Sequence, residues 1–325
     1  SGCGPAAAAR AGPLVRIRSR GVRIVCVECV CRCARRRGAA TRARSRPGRR
    51  TGGTWDAMVA ASVLVGAMLA AGAVSAAAAA PPGPRHAVLM LIDDLGYGDV
   101  GYAGAEFPTE TIDALARDGI RLNQSYVTQL CSPTRASLLT SRYAYTIGMD
   151  GDVLTGGDER CANLTSATVG DRMRAQAQAH TAFIGKYDIG YSSWACTANC
   201  RGFDYWLGYY GAAEDYYKHG GGNSLDFHEN FQNAPQYRGE YSTTLFSRKA
   251  GEWIRNTTAG GDVKPTFLYL AYQAVHGPIE APPGTFTGCE HITAETRHTY
   301  CLMMQALDQG IANVTDAYRQ LNLFE

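Results

Sequence analysis

The chain has 325 residues, 46% hydrophobic and 19% charged, with 32 Lys plus Arg against 29 Asp plus Glu and a formal net charge of +3. That apolar content excludes a chain unfolded for want of anything to bury, and the length allows one sizeable α/β domain. The charge is uneven: residues 1–57 hold fourteen Arg against one Asp and one Glu, a net of +12, and the remainder has a net of −9.

Residues 1–57 read as a basic, low-complexity arm. Such an arm can suit nucleic acid or a membrane surface, but the first methionine is Met58, and an over-extended reading of the gene is the simpler account. No nucleic-acid partner is expected. Cys26, Cys29, Cys31 and Cys33 are numerous enough for zinc but lack paired spacing and a neighbouring histidine. Residues 58–80 carry no charge and are mostly Ala, Val, Leu, Met and Gly, ending in small residues before Pro81-Pro82. They read as a signal peptide, or as a membrane anchor if uncleaved. N-x-S/T sequons at Asn123, Asn163, Asn256 and Asn313 agree with the secretory pathway. The expected destination is secretion or a lysosomal (vacuolar) compartment.

From residue 86 the pattern changes. An apolar run over 87–92 predicts a strand buried on both faces, followed by helices over 109–118 and 134–142. Gly151 to Gly157 reads as a loop, 168–178 as a helix and 181–185 as a second buried strand. Gly220 to Pro235 reads as a loop, 243–256 as a helix, 266–272 as a third buried strand and 294–321 as a long helix. In that helix Met304, Leu307, Ile311, Val314 and Tyr318 recur at helical spacing, the signature of core packing. Strands alternating with helices predict a layered α/β fold.

Chemistry-bearing residues fall at the ends of these strands. Asp93-Asp94 closes the first one, where paired carboxylates suggest a hard divalent cation, or else one Asp capping a turn beside a solvated neighbour. Cys131-Ser132-Pro133-Thr134-Arg135 opens a helix with Leu138 and Leu139 inward. The helix dipole there favours anions and a reactive thiol, although a half-buried structural cysteine fits the same five residues. Lys186 ends the second strand, a place many solvent-facing lysines occupy, and His276 follows the third, just before Gly277-Pro278.

Taken together, Asp93-Asp94-Leu95-Gly96, the Cys131–Thr140 run, Gly185-Lys186-Tyr187-Asp188-Ile189-Gly190, Arg201-Gly202-Phe203-Asp204, Glu214-Asp215-Tyr216-Tyr217 and Phe267–Pro278 resemble the type I sulfatase family over residues 86–325. The last three blocks are most similar to its arylsulfatase B branch, which acts on N-acetylgalactosamine 4-sulfate. The resemblance implies an alkaline-phosphatase-like fold, with a mostly parallel or mixed sheet flanked by helices. It also implies that a formylglycine-generating enzyme converts Cys131 to formylglycine. The hydrated aldehyde would bind Ca2+, attack sulfur, and later expel sulfate through its second hydroxyl. Asp93 and Asp94 would be calcium ligands with residue 131. Arg135 would hold the hydrate, Lys186 contact sulfate oxygens and His276 protonate the leaving alcohol. Substrates would be sulfated carbohydrates or aryl sulfate esters. A Cys161–Cys196 disulfide is implied by the same resemblance. Cys289–Cys301 is expected from proximity in sequence, which leaves Cys200 unassigned.

Departures from the family pattern bear on activity. Asp188 stands where the family has a histidine thought to assist sulfate release, and Ser141 replaces a usual glycine. The family also expects, beyond Glu325, a strand with an Asp-Asn pair for calcium, a second lysine and a small C-terminal domain. Residues 86–325 therefore read as an incomplete sulfatase catalytic domain. Two alternatives stay open: a pseudo-sulfatase that binds sulfated glycans without turnover, and a phosphatase or phosphodiesterase of the same architecture.

Overall fold

The computed structural model describes residues 86–324, except 156–157, 222–223, 261–263 and 285, together with the backbone of three strands within residues 9–29. The described residues belong to one compact unit. The apolar segment 58–80 and Cys31 and Cys33 lie outside the described residues. Among the described residues no helix is long and apolar enough to cross a membrane.

Three short or N-terminal strands, β1 (Ala9–Arg10), β2 (Leu14–Ile17) and β3 (Val22–Cys29), precede β4 (His86–Asp93). There follow α1 (Glu110–Asp118), β5 (Gly119–Leu122), β6 (Tyr126–Val127), α2 (Cys131–Thr140) and α3 (Val169–Ala177). Next come β7 (His180–Lys186), β8 (Tyr205–Tyr209), β9 (His228–Glu229) and β10 (Gln232–Asn233). The last elements are α4 (Ser242–Thr258), β11 (Thr266–Tyr272) and α5 (Glu295–Gln320). The main sheet runs β10-β9-β8-β7-β11-β4-β3-β2-β5, parallel from β8 to β3 and antiparallel at both margins.

The three buried strands expected from their apolar runs are β4, β7 and β11, and every residue of β11 is buried. Alternation splits their side chains between two cores. Leu268, Leu270 and Tyr272 face the core that contains the α5 stripe of Met304, Leu307, Ile311, Val314 and Tyr318. Phe267, Tyr269 and Ala271 face the core that contains Ala136 and Leu139 of α2. This is the layered architecture expected of a sheet sandwiched between helices.

Several local expectations need correction. The segment 220–235, read as a loop, contains β9 and β10, which are too short to show an alternation. Helix α2 begins at Cys131 itself and ends at Thr140, because Ser141 turns left-handed at φ 55°. That conformation explains why glycine suits position 141. Leu139 is buried and Leu138 only half-buried. Strands β2 and β3 lie within the stretch whose composition reads as a basic arm; Val22, Ile24, Val25 and Val27 carry a strand signal that the arginine count hides.

Candidate active site

The parallel strands end together, and their carboxyl ends carry the chemistry, as open α/β sheets place it. Asp93 is the last residue of β4 and is fully buried. Its backbone N–H donates to Ala274 O (3.0 Å) and its carbonyl accepts from Val275 N (2.9 Å), which ties the segment after β11 to the end of β4. Asp94 then turns left-handed at φ 56°, and its Oδ2 faces His276 Nε2 at 3.6 Å. The His276 ring is fixed at its other nitrogen, 2.6 Å from Gly277 O.

Lys186 ends β7 and is fully buried, not solvent-facing. Its side chain crosses the end of β11 and places Nζ 2.6 Å from Asp93 Oδ2. The preceding Gly185 makes this possible: at φ 112° a Cβ there would sit 1.9 Å from Ala271 O. Gly208 on β8 is under the same constraint, since its Cβ would meet Gly185 O at 2.0 Å. Arg135, buried on α2, donates from Nη1 to Lys186 O (2.7 Å) and brings Nη2 to 3.2 Å from Asp93 Oδ1. Asp188, also buried, lies 3.8 Å from Lys186 Nζ and accepts from Ser132 Oγ at 2.6 Å.

Two carboxylates and two cations thus lie buried together, beside the partly exposed Asp94 and His276. Burial by itself would raise the Asp93 pKa, but the Lys186 ammonium and Arg135 guanidinium outweigh it and hold the group at about 2. For Lys186 and Arg135 burial opposes the charge, and Asp93 more than restores it, so both pKa values are raised. Asp188 goes the other way: its burial exceeds the pull of Lys186 and Arg135, and its pKa is raised.

Cys131 is buried at the first turn of α2 with Sγ 3.7 Å from Asp93 Oδ1, outside both disulfides. One ligand atom each from Asp93, Cys131 and His276 lies within 4.8 Å of the others. The sequence trio for metal was Asp93, Asp94 and Cys131; the structure brings His276 into the same space. A thiol and an imidazole suit a softer ion than calcium, and hard oxygens come from Asp93 and Asp94. These donors fit part of a calcium shell if residue 131 supplies oxygen in place of sulfur. The Lys186 ammonium marks where a cation is already favoured against Asp93.

All seven site residues expected from sequence meet at this edge. Three helpers were missed. Ser132 donates to Asp188 and accepts from Leu154 N (2.8 Å). Tyr216 donates to His276 O at 2.8 Å, and Gln273 Nε2 donates to Glu214 O at 2.6 Å. Ser132 and Tyr216 sit inside motifs already noticed, and only the fold shows what they touch. Glu214 and Tyr216 are buried, so the Glu214–Tyr217 block braces the His276 segment more than it lines a pocket. The Cys161–Cys196 and Cys289–Cys301 bonds are both formed, and Cys200 is exposed outside them.

Comparison with known proteins follows this geometry. The sulfatase family model matches residues 85–324. Arylsulfatase J of Mus musculus is 33% identical over 246 residues, covering 74% of this chain and 40% of that protein. An arylsulfatase of Klebsiella aerogenes is 30% identical over 229 residues, covering 66% of this chain and 47% of its own. The chain therefore spans less than half the length of these relatives. The crystal structure of Ps i-CgsB in complex with k-i-k-neocarrahexaose superposes with a TM-score of 0.64 at 27% identity, covering 73% of this chain and 55% of that one. With the family model spanning the whole described catalytic region and the strand-end residues converging as they do, the chain belongs to the sulfatase family.

Proposed function

We propose that the full-length protein is a sulfuric ester hydrolase acting on sulfated glycans, dependent on calcium and on formylglycine at position 131. One observation carries this reading: Cys131, at the head of α2, faces a buried carboxylate held between Arg135 and Lys186, with His276 alongside. Names of relatives, two arylsulfatases and a structure bound to a neocarrahexaose, support sulfate esters and sugars as the substrate class. The arylsulfatase B branch and an N-acetylgalactosamine 4-sulfate substrate are a finer proposal that rests on the sequence blocks alone.

Asp93 and Asp94 are the residues that would hold calcium, whose chemistry when bound is to offset negative charge on sulfate and on the nucleophile's oxygen. The chain's own groups do the rest. Arg135 orients whatever residue 131 becomes, because its guanidinium is pinned by Lys186 O and Asp93. Lys186 supplies a point charge for sulfate oxygens. His276 Nε2 points into the site, where it can hand a proton to the departing alcohol. With a net of −9 after residue 57, sulfated polymers are repelled at long range, and the attraction must be local, from these cations and the metal.

Asp188 favours one second reading, a pseudo-sulfatase. A buried carboxylate stands beside Lys186 where family members have histidine, and any charge on it opposes a bound sulfate. The secretory reading draws support from two disulfides and from four sequon asparagines that are all exposed. The test is sulfate release from a chromogenic aryl sulfate by full-length protein co-produced with the formylglycine-generating enzyme, with mass spectrometry of the peptide containing position 131. Conversion plus sulfate release supports the hydrolase. Conversion without release, joined to binding of sulfated glycans, selects the pseudo-enzyme, and phosphate release from the phosphate analogue selects a phosphatase.

A further inference from the structure

Beside the charge cluster, at the same edge of the sheet, lies a cleft of about 950 Å³, within the range of roughly 300–1,000 Å³ typical of small-molecule sites. Its lining includes Leu154, whose N–H is bonded to Ser132 next to Cys131, and Tyr210 and Gly211, just past the end of β8. The mouth carries Tyr191 and Trp194, which expose 39% and 62% of their surface.

These rings are fixed in place. Tyr191 stacks on Tyr210 at 5.5 Å, and Tyr210 stacks on the fully buried Trp206 at 5.2 Å, so an aromatic column runs from core to cleft. Trp194 meets Phe231 edge-on at 5.6 Å. The Cys161–Cys196 bond and the Tyr187 hydroxyl on Cys196 O tether the segment that carries Trp194. Asp226 holds the other rim by accepting from Tyr210 N (3.0 Å) and Gly211 N (2.8 Å). Such preformed aromatic faces cost little ordering entropy on binding.

Around the rings the described lining is hydroxyls, small residues, Leu154 and Leu225, one carboxylate and one imidazole, with no Lys or Arg. A flat C–H face bordered by hydroxyls complements that surface, whereas a sulfate there would meet Asp226, already paired with His228 Nε2 at 3.1 Å, with no Lys or Arg in the described lining to offset it. We propose that this cleft is a subsite for an uncharged pyranose ring of a glycan, next to the sulfated residue bound at the charge cluster. The inference rests on the glycan-sulfatase reading and extends it: sugars unsulfated at this neighbouring position are preferred.

Full-length protein titrated with neoagarotetraose and with chitotetraose, both uncharged, tests the assignment by isothermal calorimetry. Saturable binding of at least one is expected, weakened about tenfold by Trp194→Ala, a loss typical of one aromatic stacking contact. Trp194→Phe should retain most of it, and the affinity should be insensitive to salt. Because Trp194 is largely exposed, W194A should leave the fold unchanged, which circular dichroism and the thermal midpoint check. Absence of Trp194-dependent binding for both sugars, or an affinity that collapses with salt, overturns the subsite. Sugar binding without aryl sulfate release keeps the subsite and removes the hydrolase reading; release without Trp194-dependent binding does the reverse.

Discussion

Replacing Lys186 with methionine keeps an unbranched side chain one atom shorter and deletes its ammonium. Asp93 is then left with Arg135 at 3.2 Å, and Asp188 loses a cation 3.8 Å away. Breaking a buried ion pair from one side typically costs about 3–5 kcal/mol. The remaining Arg135 places this site at the lower end, about 3 kcal/mol at neutral pH. The acid limb should change as well. Asp93 is depressed from 3.8 to about 2, so it contributes stability present above the unfolded pKa and lost as pH falls through the folded one. That shift is worth on the order of 2 kcal/mol. Without Lys186 the window moves upward, and the variant should lose stability at a higher pH than the native protein. Urea denaturation of the full-length protein in chelator, from pH 3 to 7, measures both effects. A cycle with Asp93→Asn should show coupling of about 1–3 kcal/mol. A K186M protein within about 0.5 kcal/mol of native at pH 7, or an additive cycle, would refute the picture of a mutually dependent buried charge cluster.

Other sites give separate tests. Gly185→Ala should prevent folding, since the Cβ falls 1.9 Å from Ala271 O at φ 112°, and soluble yield with circular dichroism checks this. Ser132→Ala strands the Leu154 N–H and removes a donor from Asp188, costing about 1–3 kcal/mol in thermal or urea unfolding. Tyr216→Phe should lower kcat on an aryl sulfate while leaving KM close to native, because only the hydrogen bond to His276 O is lost. Burial, then Asp226 and Asp215, raise the Glu214 pKa well above 4.5. The native state therefore keeps a proton that the unfolded chain releases, and stability is lost as pH rises from about 4.5 to the native pKa, by up to about 1.4 kcal/mol per unit. Glu214→Gln should flatten that slope; an unchanged pH profile argues against a buried, protonated Glu214.

The strands that build the site were legible because β4, β7 and β11 are covered on both faces and read as unbroken apolar runs. Asp93 and Lys186 were legible for a related reason, each being a polar residue closing such a run, and His276 follows the third run shortly after it ends. Motif position could not reveal partnership. That Lys186 reaches across β11 to Asp93, or that Ser132 serves Asp188, depends on strand order, and one chain carries no mark of that order. Likewise Tyr191, Tyr210 and Trp206 are ordinary aromatics in sequence and become one column only when β7 and β8 lie side by side.

The division of labour along the carboxyl edge has an evolutionary consequence. Asp93 and Lys186 are strand-terminal residues, and His276 follows within a short, backbone-tied segment. The cleft is made largely from connections over residues 191–228. If the cleft is the sugar subsite proposed above, mutation, insertion or exchange of those connections would retune which polymer is recognised and leave the strand-end residues where they are. On the proposed function, a lineage built this way would sample new sulfated saccharides without rebuilding its catalyst each time.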